Sequence, residues 1–372
     1  MDDMSGNPED HEAAISLGSA SQSPAAGPNP FTGLPSEDDP LRVGRWTREH
    51  IADWYARQPW LVGCNFVPSY AVNQLEMWQA ETFDIECIAH ELDLARSLGF
   101  NAVRIFLHDL LWTDPEVLLS HLDRFLDVAH TRGIRVMPVL LEGVWNNYAY
   151  PGPQPDPIPG VHNSRWVQSP NAKAAVDPAQ WPRLEDYVSG VLDRFADDDR
   201  VLLWDVYNEP GNEGMITNAL PLLDAAFRWA RSIGVPQPLT SGIWEITAAF
   251  SELNRFQLLA SDLISFHHYG DVTDIDWLIR SLRLLGRPML CTEYMARPFG
   301  STFRSHLPYL QAEDVGAFNW GLVQGRTQTH YAWDSPRSAG EPELWFHDVF
   351  REDGTPYDED EVAFIRRTIV GD

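Results

Sequence analysis

A repeating pattern of hydrophobic and polar positions runs from about residue 60 to the C-terminus. Each unit contains a short apolar run, a polar loop, an amphipathic stretch and a glycine just before the next apolar run. The apolar runs are continuous rather than alternating, which is typical of parallel strands covered on both faces. Eight runs predict eight strands: LVGCNFV, NAVRIFLH, RVMPVLLE, VLLWDVYN, PLTSGIW, LISFHHY, PMLCTEY and GAFNWGLV.

The stretches between these runs have the spacing of amphipathic helices. In one of them, the apolar residues on one helical face are Leu118, Leu122, Phe125, Leu126 and Ala129. In another, they are Leu184, Tyr187, Val188, Val191, Leu192 and Phe195. Four stretches end on a glycine that can adopt the left-handed conformation closing a helix: Gly99, Gly133, Gly234 and Gly286. Eight strand–helix pairs, ending in the predicted helix EDEVAFIRRTIV, favour an α/β fold of the (β/α)8 TIM barrel type over a doubly wound open sheet.

The composition supports one large folded domain that follows a polar segment. The chain has 372 residues, of which 44% are hydrophobic and 15 are tryptophans, enough for a single barrel with long loops. Residues 1–40 instead carry eight acidic residues, six prolines and no Lys or Arg. We therefore expect a disordered acidic tail at 1–40 and a single (β/α)8 barrel domain at 41–372.

The net charge argues against polyanionic partners. The chain has 54 acidic and 27 basic residues, and its net charge of -27 repels nucleic-acid phosphates and anionic lipid headgroups. It contains no run of about 18 uninterrupted apolar residues, and its first 30 residues lack a basic region followed by an apolar run. We expect no nucleic-acid partner, no membrane partner and a cytoplasmic location. The sequence carries no signal of oligomeric state.

The sequence also lacks the motifs of metal and nucleotide cofactors. No GxGxxG follows the first strand, and no P-loop, HExxH or DxDxDG motif is present. Cys64, Cys87 and Cys291 are widely spaced without a CxxC pair, which indicates reduced thiols. His267 and His268 are adjacent on a predicted strand and so point to opposite faces, which does not suit shared metal ligation. We expect no cofactor and no metal.

Polar and aromatic side chains cluster at the predicted C-terminal ends of the strands, where barrel enzymes carry their chemistry. These are Asn65, Arg104, His108, Glu142, Trp145, Asn208, Glu209, Trp244, Glu245, His267, His268, Tyr269, Glu293, Trp320 and Gln324. Several carboxylates among stacking aromatics suit a carbohydrate, whose C–H faces lie on indole rings and whose hydroxyls bond polar groups. In the loop after strand three, Trp145, Tyr148, Tyr150 and Trp166 fit either a sugar-binding rim or anchors of the loop on the barrel.

Two short motifs carry a family resemblance. WDVYNEP at the end of strand four and CTEY at the end of strand seven resemble the paired glutamates of clan A glycoside hydrolases, most closely the cellulase-like enzymes of glycoside hydrolase family 5. Arg104 on strand two, the H-x-Y of residues 267–269 and a Trp on strand eight complete the set. The resemblance implies a retaining glycoside hydrolase in which Glu209 is the general acid/base and Glu293 the nucleophile.

The resemblance also assigns residues around these glutamates. Arg104 would keep Glu293 ionised, Tyr269 would bond to Glu293, and His267 would bind a substrate hydroxyl. Asn208 would bond the sugar 2-hydroxyl, unless it only caps a turn.

Four further positions have other expected roles. Trp320 would be the platform under the sugar, unless it is a buried tryptophan without a ligand. Glu142 occupies a position where many family members have a histidine, and we expect it to bind a sugar hydroxyl instead. Asp205 is expected to pair with an Arg or point into the barrel layers, and His268 to be a packing residue.

The expected activity is hydrolysis, by double displacement, of a short β-linked oligosaccharide or a small glycoside. The loop VQGRTQTHYAWDS after strand eight has many hydrogen-bonding groups that can close over a non-reducing end, which favours exo action. A transglycosidase with the same glutamate pair remains an alternative. So does a non-catalytic carbohydrate-binding barrel, because a fold does not prescribe a function.

Overall fold

The computed structural model describes Phe31 and residues 44–336 and 340–371. Its parallel strands are β1 (Val62–Asn65), β2 (Ala102–Phe106), β3 (Arg135–Glu142), β4 (Trp204–Asn208), β5 (Leu239–Thr240), β6 (Ile264–His267), β7 (Met289–Tyr294) and β8 (Val315–Trp320). They form one sheet in the order β5-β4-β3-β2-β1-β8-β7-β6. The predicted (β/α)8 TIM barrel is confirmed.

An isolated parallel bridge between Ile243 and Phe266 joins the two ends of the sheet. The backbone N–H of Ile243 donates to the carbonyl of Ser265 at 3.0 Å, and the N–H of His267 donates to the carbonyl of Ile243 at 2.9 Å. The hydroxyls of Thr240 and Ser265 are 2.7 Å apart and add a side-chain contact across the same gap. The barrel is therefore closed between β5 and β6 by few bonds.

Helices alternate with the strands and cover the outside of the barrel. They are α1 (Arg48–Ala56), α2 (Gln74–Trp78), α3 (Ile85–Leu98), α4 (Pro115–His130), α5 (Ala172–Val176), α6 (Trp181–Arg194), α7 (Leu220–Ile233), α8 (Ser251–Ala260), α9 (Val272–Arg283), α10 (Phe303–Ala312) and α11 (Glu359–Val370). The apolar faces predicted for α4 and α6 are buried. The predicted C-terminal helix matches α11 at both ends.

The four glycines predicted to end helices all have positive φ. Gly99 at 92° and Gly234 at 76° directly follow α3 and α7, where the left-handed conformation lets the chain leave the helix toward the next strand. Gly133 and Gly286 have φ of 70° and 66°. The sequence therefore located these helix ends to within a few residues.

Two strands are shorter than their apolar runs predict. In the run VLLWDVYN, Val201 makes only an isolated bridge to Val136, and the ladder begins at Trp204. In PLTSGIW only Leu239–Thr240 pairs with β4, because the following residues turn toward β6. An apolar run shows that its residues are buried, but buried residues continue beyond the part of the run that forms strand hydrogen bonds. The run therefore predicts a longer strand than the structure has.

The structure also bears on the expectations for the N-terminal tail, the cysteines and membrane-spanning segments. The predicted disordered tail at 1–40 lies outside the described residues, apart from Phe31, whose side chain is buried in the main core. Cys64, Cys87 and Cys291 are free thiols, as expected. Among the described residues, no helix combines the length and apolarity needed to cross a membrane.

Candidate active site

The two glutamates singled out by sequence lie face to face at the C-terminal end of the barrel. Glu209 directly follows β4 and Glu293 lies near the end of β7. One carboxylate oxygen of Glu209, one of Glu293 and one ring nitrogen of His267 all lie within 4.8 Å of one another. The two carboxyl groups therefore flank a gap of molecular width, although 84 residues separate them along the chain.

The backbone at Glu209 has an unusual conformation. Glu209 has a φ of 43°, a left-handed value that residues with side chains rarely adopt. The neighbouring Gly143, just beyond β3, makes room for this turn, because a Cβ there would lie 2.4 Å from the carbonyl oxygen of Glu209. Gly143 also donates its N–H to the carbonyl of Asn208 at 3.0 Å. The strained turn is thus held by the end of β3.

Arg104 on β2 is the centre of the hydrogen-bond network. Its guanidinium donates to Glu293 Oε1 at 2.8 Å and to Asn65 Oδ1 at 2.7 Å. It also donates to Asp205 Oδ2 at 2.8 and 3.1 Å, and to Asn208 Oδ1 at 2.6 Å. Arg104 and Asp205 are both completely buried. The expected contact between Arg104 and Glu293 is present, and Asp205 pairs with an arginine as expected.

Tyr269 and His267 complete the surroundings of Glu293. The Tyr269 hydroxyl donates to Glu293 Oε2 at 2.8 Å. His267 Nδ1 lies 2.7 Å from Glu209 Oε1 and 3.4 Å from Glu293 Oε2, so the imidazole stands between the two carboxyl groups. Its Nε2 is buried without a partner and faces Gly242. His267 therefore contacts both glutamates through Nδ1, and its expected bond to a sugar hydroxyl stays a prediction.

Burial raises the pKa of Glu209 to about 7. The side chain of Asn212 opposes this shift, since it donates to Glu209 Oε2 at 2.7 Å and stabilises the carboxylate. The positive charge of Arg104 also lowers the pKa, whereas the negative charge of Glu245 raises it further. Glu209 is therefore poised to hold or release a proton near neutral pH.

Burial also raises the pKa of Glu293, and the charge of Arg104 and the hydroxyl of Tyr269 oppose the rise. Burial lowers the pKa of His267 to about 4, so its ring is neutral near pH 7. Arg104 is then the positive charge that favours the ionised form of Glu293. Because the two carboxyl groups are close, they titrate as a pair, and the proton favours Glu209, which has no direct bond to a cation among the described residues.

Glu142 does not reach the open side of the site. The sequence led us to expect a contact to a sugar hydroxyl, but the side chain has no exposed surface. Both of its carboxylate oxygens instead accept from Asn208 Nδ2, at 2.9 and 3.1 Å. Glu142 therefore lies behind Asn208, one hydrogen bond away from any ligand that Asn208 contacts. Burial raises its pKa well above the usual value.

The predicted aromatic residues divide into buried and exposed groups. Trp166 is buried against Trp320, with ring centroids 5.8 Å apart, so it anchors the loop rather than forming a rim. Trp320 is 8% exposed and Trp145 is partly buried in the same aromatic cluster. Tyr148 and Tyr150 are exposed.

The remaining strand-end residues lie at the margins. His268 stacks toward His306, with ring centroids 6.4 Å apart, and therefore packs as expected. His108 is buried beside Asp109, and Trp244 donates its indole N–H to the carbonyl of Pro210. Gln324 lies 3.2 Å from His330 in the loop after β8.

The sequence reasoning missed three residues next to the site. Asn212 bonds Glu209, and the rings of Trp333 and His347 lie 5.0 and 5.5 Å from the ring of Tyr269. Asn212 follows the NEP motif by two residues, which was an available signal. Trp333 lies in the loop VQGRTQTHYAWDS, which the sequence singled out for its hydrogen-bonding groups and not for an aromatic contact. His347 follows in a stretch without periodicity.

Among the described residues, one set of side chains has suitable geometry for a metal ion: Glu209, His267 and Glu293. The guanidinium of Arg104, 2.8 Å from Glu293, opposes a cation at that position. The arrangement instead provides a carboxyl group that holds a proton and, across the gap, a carboxylate bonded to a cation and a phenol. Such a pair can donate a proton to one side of a bond and attack the other.

No protein-family model matches the chain, and no curated protein matches it. Solved structures do match. Exo-beta-1,4-mannosidase Op5Man5 from Opitutaceae bacterium strain TAV5 is 20% identical with a TM-score of 0.58, and the match covers 83% of this chain and 60% of that chain. This chain therefore spans less than two thirds of the length of Op5Man5.

Two other solved structures are similar over a larger share of their length. A GH5_18 protein from Streptomyces cattleya, in complex with Manβ1-4GlcNAc, is 14% identical with a TM-score of 0.55, and the match covers 84% of this chain and 80% of that chain. A glycoside hydrolase family 5 mannosidase from Rhizomucor miehei is 12% identical with a TM-score of 0.56, with coverage of 84% and 94%. At these identities the likeness shows a shared barrel fold.

We predict that the carboxyl group of Glu209 titrates with a midpoint of about 7. Glu245→Gln should move this midpoint to lower pH, because it removes a negative charge that disfavours the carboxylate. Asn212→Ala should move it to higher pH, because it removes a donor that favours the carboxylate. Carbon-13 NMR of the labelled glutamates, with the signal assigned by Glu209→Gln, measures both shifts.

Glu252→Gln is the matched control, since it removes the same charge from an exposed position in α8. It should leave the midpoint unchanged. A Glu209 midpoint near the ordinary glutamate value, or shifts of equal sign in the Glu245 and Asn212 variants, would contradict the electrostatic account.

Proposed function

We propose that this protein is a retaining β-glycoside hydrolase of the family 5 type. The observation that carries the proposal is the distance within 4.8 Å between carboxylate oxygens of Glu209 and Glu293. Retaining glycosidases have their two carboxyl groups about 5 to 5.5 Å apart, whereas inverting enzymes need about 6.5 to 9.5 Å to admit a water molecule between carboxylate and sugar. The fold shared with mannosidases supports the same reaction class.

The proposed first step transfers the glycosyl group to the protein. A carboxylate oxygen of Glu293 forms a bond to the anomeric carbon while the bond from that carbon to the leaving oxygen breaks. The leaving oxygen takes the proton of Glu209, whose raised pKa keeps it protonated near neutral pH. Arg104 and Tyr269 orient Glu293 through their hydrogen bonds to its two oxygens.

The second step returns the protein to its starting state. Glu209, now ionised, takes a proton from water, and the water oxygen bonds to the anomeric carbon as the bond to Glu293 breaks. His267, neutral and within 2.7 Å of Glu209, holds that carboxylate toward the sugar. Two displacements at the same carbon leave its configuration unchanged.

We further propose that the enzyme is exo-acting, because two loops join over one side of the barrel mouth. We call the hydrogen bonds between loop 143–171 and loop 321–358 the seam. Asn163 N–H donates to the carbonyl of Thr327 at 2.8 Å, and His162 Nδ1 lies 2.8 Å from the carbonyl of Tyr331. The Gln328 side chain bonds the backbone of Gly160 at 2.9 Å and that of Ile158 at 2.8 Å.

We infer that the seam lies on the side where the glycone would sit. Because β1 and β2 lie between β8 and β3 in the sheet, a link between the loops that follow β3 and β8 would cross the part of the mouth above β1 and β2. Trp320, the proposed sugar platform, packs there against Phe106 of β2, with ring centroids 5.4 Å apart. A sugar on Trp320 would then meet the seam, which supports a pocket for a single terminal residue.

The substrate class we propose is a short β-linked oligosaccharide or a small β-glycoside. The net charge of -27 favours a neutral or cationic substrate over an acidic one. Because the structural neighbours include an exo-beta-1,4-mannosidase and a complex with Manβ1-4GlcNAc, β-mannosides are the first substrates to test.

We predict that Glu293→Ala abolishes turnover of aryl β-glycosides, because no nucleophile remains. Glu209→Ala should lose activity on a poor leaving group by about 100-fold or more and lose much less on dinitrophenyl glycosides, whose departure needs no proton. Incubation with a 2-deoxy-2-fluoro glycoside followed by peptide mass spectrometry should find the sugar on Glu293.

Asn218→Ala, an exposed position in the loop after β4, is the control and should retain full activity. A sugar adduct on another residue would contradict the assignment. So would equal losses on both leaving groups for Glu209→Ala. A glycoside of an added acceptor as the main product would assign the same site to transglycosylation.

We predict that the protein releases single sugars from the non-reducing end of a reduced β-1,4-linked tetrasaccharide. Gln328→Ala removes the side chain that spans the seam and should allow disaccharide release as well. Gln311→Ala, at an exposed position of α10, is the matched control and should leave the products unchanged. Chromatography of the earliest products measures this, and internal fragments from the unmodified protein would contradict exo action.

A further inference from the structure

The end of β3 holds the end of β4 through three consecutive residues. Glu142 binds the Asn208 side chain, Gly143 donates to the Asn208 carbonyl at 3.0 Å, and Val144 N–H donates back to Glu142 Oε1 at 2.8 Å. Glu142 has no exposed surface. The proposed catalytic steps do not use this buried carboxyl group, and Asn208 is its only side-chain partner among the described residues.

The contacts of Asn208 fix the orientation of its amide. The oxygen Oδ1 accepts from Arg104 Nη2 at 2.6 Å, and the nitrogen Nδ2 donates to Glu142. A flipped amide would set its NH2 group against the guanidinium and its oxygen against the carboxyl group of Glu142, so both contacts would be lost. Of the two hydrogens on Nδ2, the contacts to Glu142 use one, and the other is available to a ligand.

We propose that Glu142 is a positioning residue that orients the Asn208 amide so that its second N–H donates to the 2-hydroxyl of the sugar. The inference rests on the proposed function and deepens it. A donor to the 2-hydroxyl matters most as positive charge builds on the sugar ring in the transition state. Glu142 takes the place of the histidine expected by resemblance and supplies the acceptor that selects this orientation.

The backbone around Glu142 is held independently of its side chain. The N–H of Glu142 donates to the carbonyl of Ser169 at 2.6 Å, and the N–H of Ser169 donates to the carbonyl of Glu142 at 2.9 Å. Gly143 keeps its bond to Asn208 whatever side chain precedes it. A substitution at Glu142 therefore changes the acceptor presented to the amide while these backbone bonds persist.

The test is Glu142→Gln, which keeps the shape but sets an NH2 group in place of one acceptor. For aryl β-glycosides with a 2-hydroxyl, kcat/KM should fall by roughly tenfold, about the effect of losing one hydrogen bond. For the matching 2-deoxy glycosides, the kcat/KM values of the variant and the unmodified protein should agree within about twofold, because neither protein can bond a 2-hydroxyl that is missing. In an Asn208→Ala background, Glu142→Gln should cause no further loss.

If Glu142 had a purely structural role, Glu142→Gln would lower kcat/KM for both substrates by the same factor, and that result overturns the inference. A further roughly tenfold fall in kcat/KM when Glu142→Gln is added to Asn208→Ala would also overturn it. Glu142→Asp, which keeps the carboxyl group but withdraws it from Asn208, is measured in the same way and decides the question if Glu142→Gln does not fold. If the unmodified protein has no activity on any glycoside, the proposed function itself is overturned. If it is active but Glu142→Gln lowers kcat/KM equally for the 2-hydroxy and 2-deoxy substrates, only the role of Glu142 is overturned.

Discussion

The buried positive charge of Arg104 is the constraint on which the rest of the site depends. Moving an ion of this kind out of water costs several kcal/mol even after the protein relaxes, so the charge must be surrounded by acceptors. Asp205 supplies an ion pair from β4, and Glu293 supplies one from β7. Asn65 and Asn208 add neutral acceptors from β1 and β4. One side chain thereby fixes the relative positions of four strands at the mouth of the barrel.

This arrangement explains how two similar carboxyl groups acquire different charges. Burial raises the pKa of both Glu209 and Glu293, so the site does not favour two negative charges. The guanidinium contacts Glu293 directly, and Tyr269 donates to its other oxygen. Glu209 has Asn212 and His267 as neutral partners. The anion therefore resides on Glu293 and the proton on Glu209, which is the distribution that a double displacement requires at its start.

The sequence predicted the parts of the molecule that are periodic or that lie at defined positions in the barrel. Continuous apolar runs located all eight strands, because parallel strands are buried on both faces whatever their side chains do chemically. Strand ends then located Arg104, Glu209 and Glu293, because a barrel brings these ends together. Glu142 was expected to bind a sugar hydroxyl, but its carboxyl group is buried behind Asn208, which its position along the strand does not reveal.

The loops could not be predicted in the same way. The seam joins residues about 165 positions apart through backbone carbonyls and the side chain of Gln328, and such bonds leave no periodic pattern in the sequence. The partners of Tyr269, Trp333 and His347, come from the same region. The grouping of the central side chains was therefore accessible from the sequence, whereas the shape of the space above them was not.

In the proposed mechanism, one carboxylate attacks the sugar and the other delivers and recovers the proton. Proton NMR of a β-glycoside during the first minutes of hydrolysis tests this mechanism, because the anomer released by the protein is visible before it equilibrates in water. We expect the β-anomer of the sugar to appear first. Initial release of the α-anomer would mean a single displacement by water and would contradict it.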